Sequence, residues 1–270
     1  MKKIAPFIRS ILGILLSLLV ILPFLAILLN SFKSKKEAAE MTISLPTEWN
    51  IVNNYVEVFQ TGLLKAFGNS TLVTLLSVTL ILLTTALASF VLQRRQTPSM
   101  SRLKTLFIIG LILPGQIIPT YMICNFLGVQ SFLGAAVVLT AANIPLGVFM
   151  YMGFLKSIPI SIDEAAIMDG CSPMQLVFKV IFPLLKPMTI TLFILNFMNI
   201  WNDFGTTIYF LNSPKNYTLT LTIYNFFSTH SSDWNLVFAD VVAVSLPVII
   251  VYFSAQKHIM SGMTSGAVKG

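Results

Sequence analysis

The sequence predicts an all-α, polytopic membrane protein with six transmembrane helices. Of its 270 residues, 56% are hydrophobic and only 10% are charged. A water-soluble domain carries roughly 25% charged residues, so this chain has too little polar surface to cover a soluble globule. It also contains six apolar stretches, each near the length of about 20 residues that a helix needs to cross a bilayer. Lipid is therefore its main solvent.

The six spans are expected at about 11–29, 70–92, 106–127, 135–155, 188–210 and 236–253. The first follows a basic start and has the composition of a signal peptide. Its long apolar stretch, its lack of a small-x-small cleavage site and the Asn30-Ser31-Phe32-Lys33 that follows indicate that it is retained. The polar segment 33–65 contains Pro46, Trp49 and Tyr55, which indicate folded structure at the membrane interface.

The basic residues predict the orientation. An even number of spans places both termini on one side of the membrane. With the N-terminus inside, the outer side receives five of the 17 basic residues, namely Lys33, Lys35, Lys36, Lys65 and Lys215, and the inner side receives the other twelve. Cytoplasmic loops carry an excess of Lys and Arg, so both termini are expected in the cytoplasm. The same bias explains the net charge of +7 without nucleic-acid binding.

The loop between the fourth and fifth spans, about 156–187, is predicted to fold into two short helices. Ser161 and Glu164 have the spacing of a capping box that would start the first helix. Gly170 is placed to end that helix, because glycine enters the left-handed conformation without steric cost. Ser172 and Gln175 form a second capping-box pattern at the start of the next helix. The chain is therefore expected to hinge at Gly170.

The residues of this loop resemble the EAA motif of ABC-importer permeases. Glu164-Ala165-Ala166 is followed by Asp169-Gly170 and then by Ile181-Phe182-Pro183, with Phe182 where the family usually has leucine. Other parts of the chain are similar to the smaller permease of the maltose-type carbohydrate importers. They are Pro46, Trp49, Tyr55, Asn69-Ser70, Trp201-Asn202 and the ending Gly266-Ala267-Val268-Lys269-Gly270.

This resemblance implies a type I importer transmembrane domain that occupies residues 1–270 and lies in the inner membrane of a bacterium. Its partners would be a homologous permease, two copies of an ATP-binding subunit and an extracytoplasmic sugar-binding protein. The residues expected to couple to the ATPase are Glu164, Ala165, Ala166, Asp169, Gly170 and Pro183. The C-terminal tail, about 254–270, would reach the ATPase through Gly262, Gly266 and Lys269.

Polar residues of the fifth span form a candidate substrate path. They are Asn196, Asn199, Trp201, Asn202 and Asp203. Polar groups at membrane depth are costly and usually face a cavity or a partner. Sugar contact and hydrogen bonding between helices both explain the asparagines, and the sequence leaves the two readings open.

No enzymatic activity or cofactor is expected. The chain has no Gly-x4-Gly-Lys-[Ser/Thr] sequence, so ATP hydrolysis would belong to another subunit. Cys124 and Cys171 do not have the spacing of a metal site, nor do His230 and His258. Two alternatives stay open: an ABC permease for a non-sugar solute, and an ion-coupled secondary transporter. The sequence does not identify the sugar.

Overall fold

The computed structural model describes residues 4–113, 115–227 and 233–267, with side chains described between residues 10 and 254. Two compact units are present, residues 1–67 with 219–247 and residues 68–218 with 248–270. The single permease domain expected over 1–270 stays a prediction.

The first unit contains the first span and an extramembrane segment. Its helices are α1 (Ile4–Asn30), α2 (Lys35–Ala39) and α3 (Ile51–Val58), followed by a π-helical turn at Phe59–Leu63. The later part of the unit contains the 3₁₀ segment Leu219–Phe226 and the beginning of α13, which is defined below. Apolar side chains of α1 from Ile11 to Leu25 are exposed on this chain, as expected for a helix whose neighbour is lipid.

The helices of the second unit form the middle of the chain. They are α4 (Leu64–Arg94), α5 (Pro98–Ile112), α6 (Ile117–Phe126), α7 (Phe132–Leu155), α8 (Ser161–Met168), α9 (Pro173–Gln175), α10 (Phe182–Leu184), α11 (Lys186–Trp201) and α12 (Gly205–Phe210). A π-helical segment, Leu176–Ile181, joins α9 to α10. The helix α13 (Trp234–Ala267) belongs to both units.

Four stretches of the described chain are long and apolar enough to cross a membrane: Ser10–Asn30, Ile51–Arg94, Phe132–Leu155 and Trp234–Ser254. They correspond to the predicted first, second, fourth and sixth spans. Two bent pairs raise the number to six if each pair is one span. The pair α5–α6 bends by 115°, where a third span was predicted. Pro173–Leu184 and α11 bend by 73° at the beginning of the predicted fifth span.

The predicted boundaries of the fifth span differ from the observed helix. Its helix α11 ends at Trp201, and α12 begins at Gly205. Asp203 Oδ1 accepts the backbone N–H groups of Thr206 and Thr207, each at 3.0 Å. A carboxylate that takes the free N–H groups at a helix start favours a new helix over continuation of the old one. The prediction missed this break because it rested on hydropathy alone.

The helices α4 and α7 run parallel. Contacts step along both helices in the same direction, from Ser77 Oγ with Ala136 O (3.2 Å), through Ser89 Oγ with Val148 O (3.2 Å), to Arg94 Nη1 with Ile158 O just beyond α7 (3.3 Å). Two parallel spans need a return crossing between them, and α5–α6 is the segment available for it. The bent pair therefore fits a single broken span.

Small side chains allow α4 and α7 to approach closely. A Cβ at Gly147 would lie 2.8 Å from Thr85 Cγ2, so only glycine fits there without displacement of the neighbouring helix. Small residues and hydroxyl-to-carbonyl hydrogen bonds are the usual means of packing helices in lipid, where no hydrophobic effect drives association. We conclude that α4 and α7 form a tightly packed pair.

The extramembrane part of the first unit is fastened by buried polar side chains. Asn54 Nδ2 donates to the carbonyl oxygens of Ser31 (2.9 Å) and Lys33 (3.0 Å), while its Oδ1 accepts from Asn235 Nδ2 at 2.8 Å. Tyr55 packs beside this group, with its hydroxyl 3.1 Å from Ser31 Oγ. Residues 33–65 are therefore folded; their position at the membrane interface stays a prediction.

The connection between α2 and α3 is also closed by side chains. The buried Lys33 Nζ donates to the Thr42 carbonyl at 2.8 Å and to the hydroxyls of Thr42 (3.0 Å) and Ser44 (3.1 Å). The hydroxyl and backbone N–H of Thr47 donate to Glu37 Oε1 and hold the pKa of the Glu37 carboxyl below its ordinary value. These contacts fold a polar segment that has little apolar core of its own.

Replacing Asn54 by alanine is expected to destabilise the chain by about 3 kcal/mol, because it leaves two carbonyls and one buried amide without their partner. Asn53→Ala is the matched control, since the neighbouring Asn53 side chain is exposed. The comparison is made by thermal unfolding of the purified protein in one detergent. Equal midpoints for the two variants would contradict the role given to Asn54.

Candidate functional site

The candidate site is the loop between α7 and α11, built around α8. The first turn of α8 differs from the prediction. Ile160 is the N-cap residue and already has helical dihedral angles, and its carbonyl accepts the N–H groups of Asp163 (2.9 Å) and Glu164 (3.1 Å). Ser161 is therefore the first helical residue. The predicted Ser161–Glu164 capping box is wrong, because the helix begins one residue before the position that such a box needs.

The end of α8 is as predicted. Gly170 has a φ of +81°, and its N–H bonds to the carbonyl of Ile167 at 3.0 Å. The N–H of Cys171 bonds to the carbonyl of Ala166, also at 3.0 Å. These two bonds are the pair that defines a Schellman motif, which ends a helix with a residue in the left-handed conformation. A side chain at Gly170 would meet open space, so the need for glycine comes from the backbone alone.

The second short helix begins with the predicted capping box. Ser172 Oγ accepts the Gln175 backbone N–H at 3.3 Å, and Gln175 Oε1 accepts the Ser172 N–H at 2.9 Å. Pro173 occupies the first helical turn, where its missing N–H costs nothing. The chain then continues through the π-helical segment and α10, where Pro183 is exposed, to the 73° bend before α11.

Apolar residues of the loop are buried against the neighbouring spans. Ala166 of α8 lies in one cluster with Leu176 and Ile181, which follow it in the loop. The cluster is completed by residues of α4, α7, α11 and the connections beside them, namely Ala86, Tyr151, Leu155, Ile158, Leu185, Met188 and Leu192. Tyr151 also donates from its hydroxyl to Thr189 Oγ1 at 2.8 Å. The inner face of the loop is thus part of the core of the second unit.

An ion pair fastens α8 to the end of α4. Arg94 Nη2 donates to Asp163 Oδ1 at 3.0 Å, and Nε lies 2.8 Å from Oδ2. Both Nη atoms of Arg94 also donate to the Ile158 carbonyl at 3.3 Å. Both side chains are nearly buried, at 12% and 10% exposure, so solvent screens the pair only weakly. A guanidinium that spans a carboxylate and a carbonyl fixes position as well as charge.

The outer face of the loop is exposed and partly apolar. Of the predicted coupling residues, Glu164, Ala165, Asp169 and Gly170 are exposed, and their docking role stays a prediction. Large apolar side chains are exposed beside them, namely Ile160, Ile167, Met168 (87%) and Met174 (67%). An exposed apolar surface rimmed by polar residues marks an interaction site, and methionine adapts to the shape of a partner. The predicted Ala166 lies on the opposite, buried face.

Sequence reasoning missed Arg94, Asp163 and Ile158. Neither Arg94 nor Asp163 is among the coupling residues predicted from the sequence. The order of the spans was the available signal. Alternate spans cross the membrane in the same direction, so the second and fourth spans end on the same side. A basic residue at one end could therefore have been matched with an acid in the loop after the other.

The predicted substrate-path residues do not share one environment. Asn196 and Trp201 are buried within the chain, whereas Asn199 and Asn202 are exposed one turn apart and Asp203 is half-buried. Asn196 and Asn202 each donate to the carbonyl four residues earlier, both at 2.8 Å. Only Asn199 and Asn202 are thus placed to meet something outside the chain on one face of α11. The role of the five residues stays a prediction.

The predicted tail residues lie at the end of α13. Gly262 and Gly266 are within the helical backbone, which continues to Ala267, and Lys269 lies outside the described residues. The tail is therefore a helical extension of the sixth span over most of its length. Among the described residues, no group of three or more His, Cys, Asp or Glu is placed to hold a metal ion.

The helices and the exposed loop define the fold of a permease of the ABC-importer type. Residues 61–265 match the family described as "binding-protein-dependent transport system inner membrane component", and the chain belongs to this family. The predicted fold class is confirmed.

Curated relatives extend over nearly the whole chain. The chain is 38% identical over 266 residues to a probable starch degradation products transport system permease of Thermoanaerobacterium thermosulfurigenes, with 97% of each chain covered. It is 33% identical to a multiple sugar-binding transport system permease of Streptococcus mutans, with 99% of each covered. A melibiose/raffinose/stachyose import permease of Bacillus subtilis is 34% identical, with 92% of this chain and 91% of that protein covered.

Solved structures show the same fold. A chain of a bacterial ABC transporter involved in the import of the acidic polysaccharide alginate superposes with a TM-score of 0.82 at 21% identity, and the match covers 94% of this chain and 96% of that one. The MetNI methionine ABC transporter matches with a TM-score of 0.53 at 16% identity, over 74% of this chain and 94% of that one.

Breaking the ion pair on one side is expected to loosen α8. Arg94→Ala leaves the nearly buried Asp163 carboxylate without its partner, at a cost of about 2–3 kcal/mol for this partly buried pair. Hydrogen exchange of the backbone amides in residues 161–170 should accelerate by at least about tenfold, because 1.4 kcal/mol corresponds to a factor of ten. The matched control is Arg95→Ala, whose side chain is exposed. Exchange that is equal in the two variants would show that the ion pair does not hold α8.

The helix end at Gly170 is expected to tolerate asparagine better than alanine. The φ of +81° costs a β-carbon-bearing residue about 1 kcal/mol, and asparagine adopts this conformation more readily than alanine. Thermal stability of the purified chain should therefore decrease in the order wild type, Gly170→Asn, Gly170→Ala. An alanine variant as stable as wild type would mean that the backbone does not require glycine.

Proposed function

We propose that this chain is the permease subunit of a bacterial ABC importer for a carbohydrate, with both termini in the cytoplasm. The observation that carries the proposal is the asymmetric loop around α8. Its inner face is fixed to the spans by the Arg94–Asp163 pair and the core around Ala166, while its outer face presents exposed apolar and acidic residues. The family of the chain and the sugar-permease names of its relatives support the substrate class.

The α8 loop is the coupling element in this proposal. The ATP-binding subunit would contact Glu164, Ala165, Asp169 and Gly170 together with the exposed Ile167 and Met168. Ala166 would act from the buried side by seating α8 on the spans, and Pro183 by bending the chain towards α11. Because the described chain resembles permeases throughout, ATP hydrolysis is assigned to a separate subunit present in two copies.

Motion of the ATP-binding subunits would reach the membrane through two connections. One is the ion pair from Asp163 to Arg94 at the end of α4, and the other is the continuous core from Ala166 to Tyr151 and Leu155 of α7. Since α4 and α7 are closely packed and parallel, movement of α8 would displace them as a pair. A second, homologous permease would supply the other half of the path, and an extracytoplasmic binding protein would deliver the sugar.

The tagged chain, expressed with its neighbouring genes, is expected to co-purify with an ATP-binding subunit and a second permease. Glu164→Lys should lose the ATP-binding subunit, because it reverses a charge in the middle of the docking surface. The matched control is Lys156→Glu, a charge reversal in the same loop before α8. It should retain all subunits.

The same purified complex tests the substrate class. Its ATPase activity should rise several-fold with the cognate binding protein and a mono- or oligosaccharide, and should not rise with an amino acid, a polyamine or phosphate. Stimulation by one of these other solutes would favour the alternative permease. Absence of any ATP-binding subunit from the wild-type preparation would overturn the proposal and favour a secondary transporter.

A further inference from the structure

The short helix α3 carries three different surfaces. With about 100° between successive residues, Val52 and Val56 of α3 fall on one side of the helix together with Phe59, the residue directly after it. All three are exposed on this chain, at 73%, 47% and 48%. Asn54 and Val58 lie on a second side and are buried at 4% and 0% exposure.

The third surface of α3 is polar. Asn53 and Glu57 are exposed and lie roughly 100° or more around the helix from the apolar stripe, and Gln60 of the π-helical turn is exposed next to them. One side of the helix thus packs on its own chain, one presents hydrocarbon outwards, and one presents polar groups outwards. A helix that lies at a membrane surface with protein beside it needs these three surfaces, because it meets protein, lipid and water at once.

Hydrogen bonds fix α3 at the depth where the first span ends. The exposed apolar stretch of α1 from Ile11 to Leu28 covers about 27 Å at 1.5 Å per residue, close to the thickness of about 30 Å of a bilayer core. The residues directly after it hold α3, since Asn50 N–H donates to Phe32 O at 2.8 Å and Asn54 donates to Ser31 O. The beginning of α3 is therefore tied to the boundary of the hydrocarbon region.

The start of α13 and the aromatic residues near α3 indicate the same depth for α3. Asn235, in the first turn of α13, donates to Asn54, so the apolar stretch Trp234–Ser254 begins at this level as well. The rings of Trp49 and Tyr55 pack at 6.0 and 6.5 Å from the ring of Phe32. Tryptophan and tyrosine are enriched at membrane–water boundaries, where their amphipathic rings fit.

We infer that α3 lies in the membrane boundary as an interfacial helix, with Val52, Val56 and Phe59 against lipid acyl chains and Asn53, Glu57 and Gln60 towards water. The occupant of the exposed apolar stripe is the bilayer itself. This anchor holds the segment between α1 and α4 at a constant depth. Gly62, with a φ of +99°, has a non-helical backbone conformation in the turn after α3.

Site-directed spin labelling tests the inference in the assembled complex. Single cysteines are introduced as Val52→Cys, Asn53→Cys, Val56→Cys and Glu57→Cys after replacement of Cys124 and Cys171 by serine. The complex is reconstituted in vesicles of phosphatidylethanolamine and phosphatidylglycerol without the binding protein. Labels at 52 and 56 should show several-fold higher ratios of oxygen to NiEDDA accessibility than labels at 53 and 57, the matched neighbours on the polar surface.

Two other outcomes would overturn the inference. If labels at 56 and 57 are equally accessible to NiEDDA, the apolar stripe faces water, and shielding on addition of the binding protein would identify that protein as its occupant. If oxygen and NiEDDA are both excluded at 52 and 56, another subunit covers the stripe. Since all four positions are exposed on this chain, the labels should not disturb its folding, and an unchanged gel-filtration profile checks this.

Discussion

The contact between Arg94 and Asp163 is the interaction on which the candidate site depends. It joins two parts of the chain that are 69 residues apart, the end of α4 and the first turn of α8. Neither partner alone would be stable in its place, since a nearly buried charge needs a counter-charge. The pair also holds the Ile158 carbonyl, which belongs to the turn between α7 and α8. The position of α8 is therefore set by two spans together, and its outer face is left free for a partner.

The features of the site that the sequence predicts correctly are the local ones. Gly170 and the Ser172–Gln175 box involve residues no more than a few positions apart, so their geometry follows from residue type and spacing. The capping box expected at Ser161 does not form, and the cause is again a contact between residues close together in the sequence. Ile160 enters the helical conformation first, and its carbonyl takes the N–H groups that the Ser161 side chain was expected to serve. Local patterns thus predict the presence of a helix more accurately than they predict its first residue.

The features that the sequence does not reveal are those that depend on distant contacts. Hydropathy locates the apolar stretches, but it does not detect that Asp203 starts a new helix within the fifth, or that the third bends by 115°. Helical spacing suggests one face for Asn196, Asn199 and Asp203, yet the packing of α11 buries Asn196 and leaves Asn199 exposed. Exposure depends on which neighbours surround a helix, and composition carries no information about them.

The two units use polar side chains in the same way. In the first, the amide of Asn54 satisfies two carbonyls where α1 ends. In the second, the guanidinium of Arg94 satisfies a carbonyl where α7 ends. These carbonyls lie just beyond a helix end, so they have no partners in helical hydrogen bonds, and at the edge of a membrane they cannot all rely on water. A side chain that supplies those partners from another helix fixes where a span stops and where the next segment begins. The span ends are thus fixed by specific hydrogen bonds and not by hydropathy alone, which explains how α3 and α8 are each held in a defined position next to the end of a span.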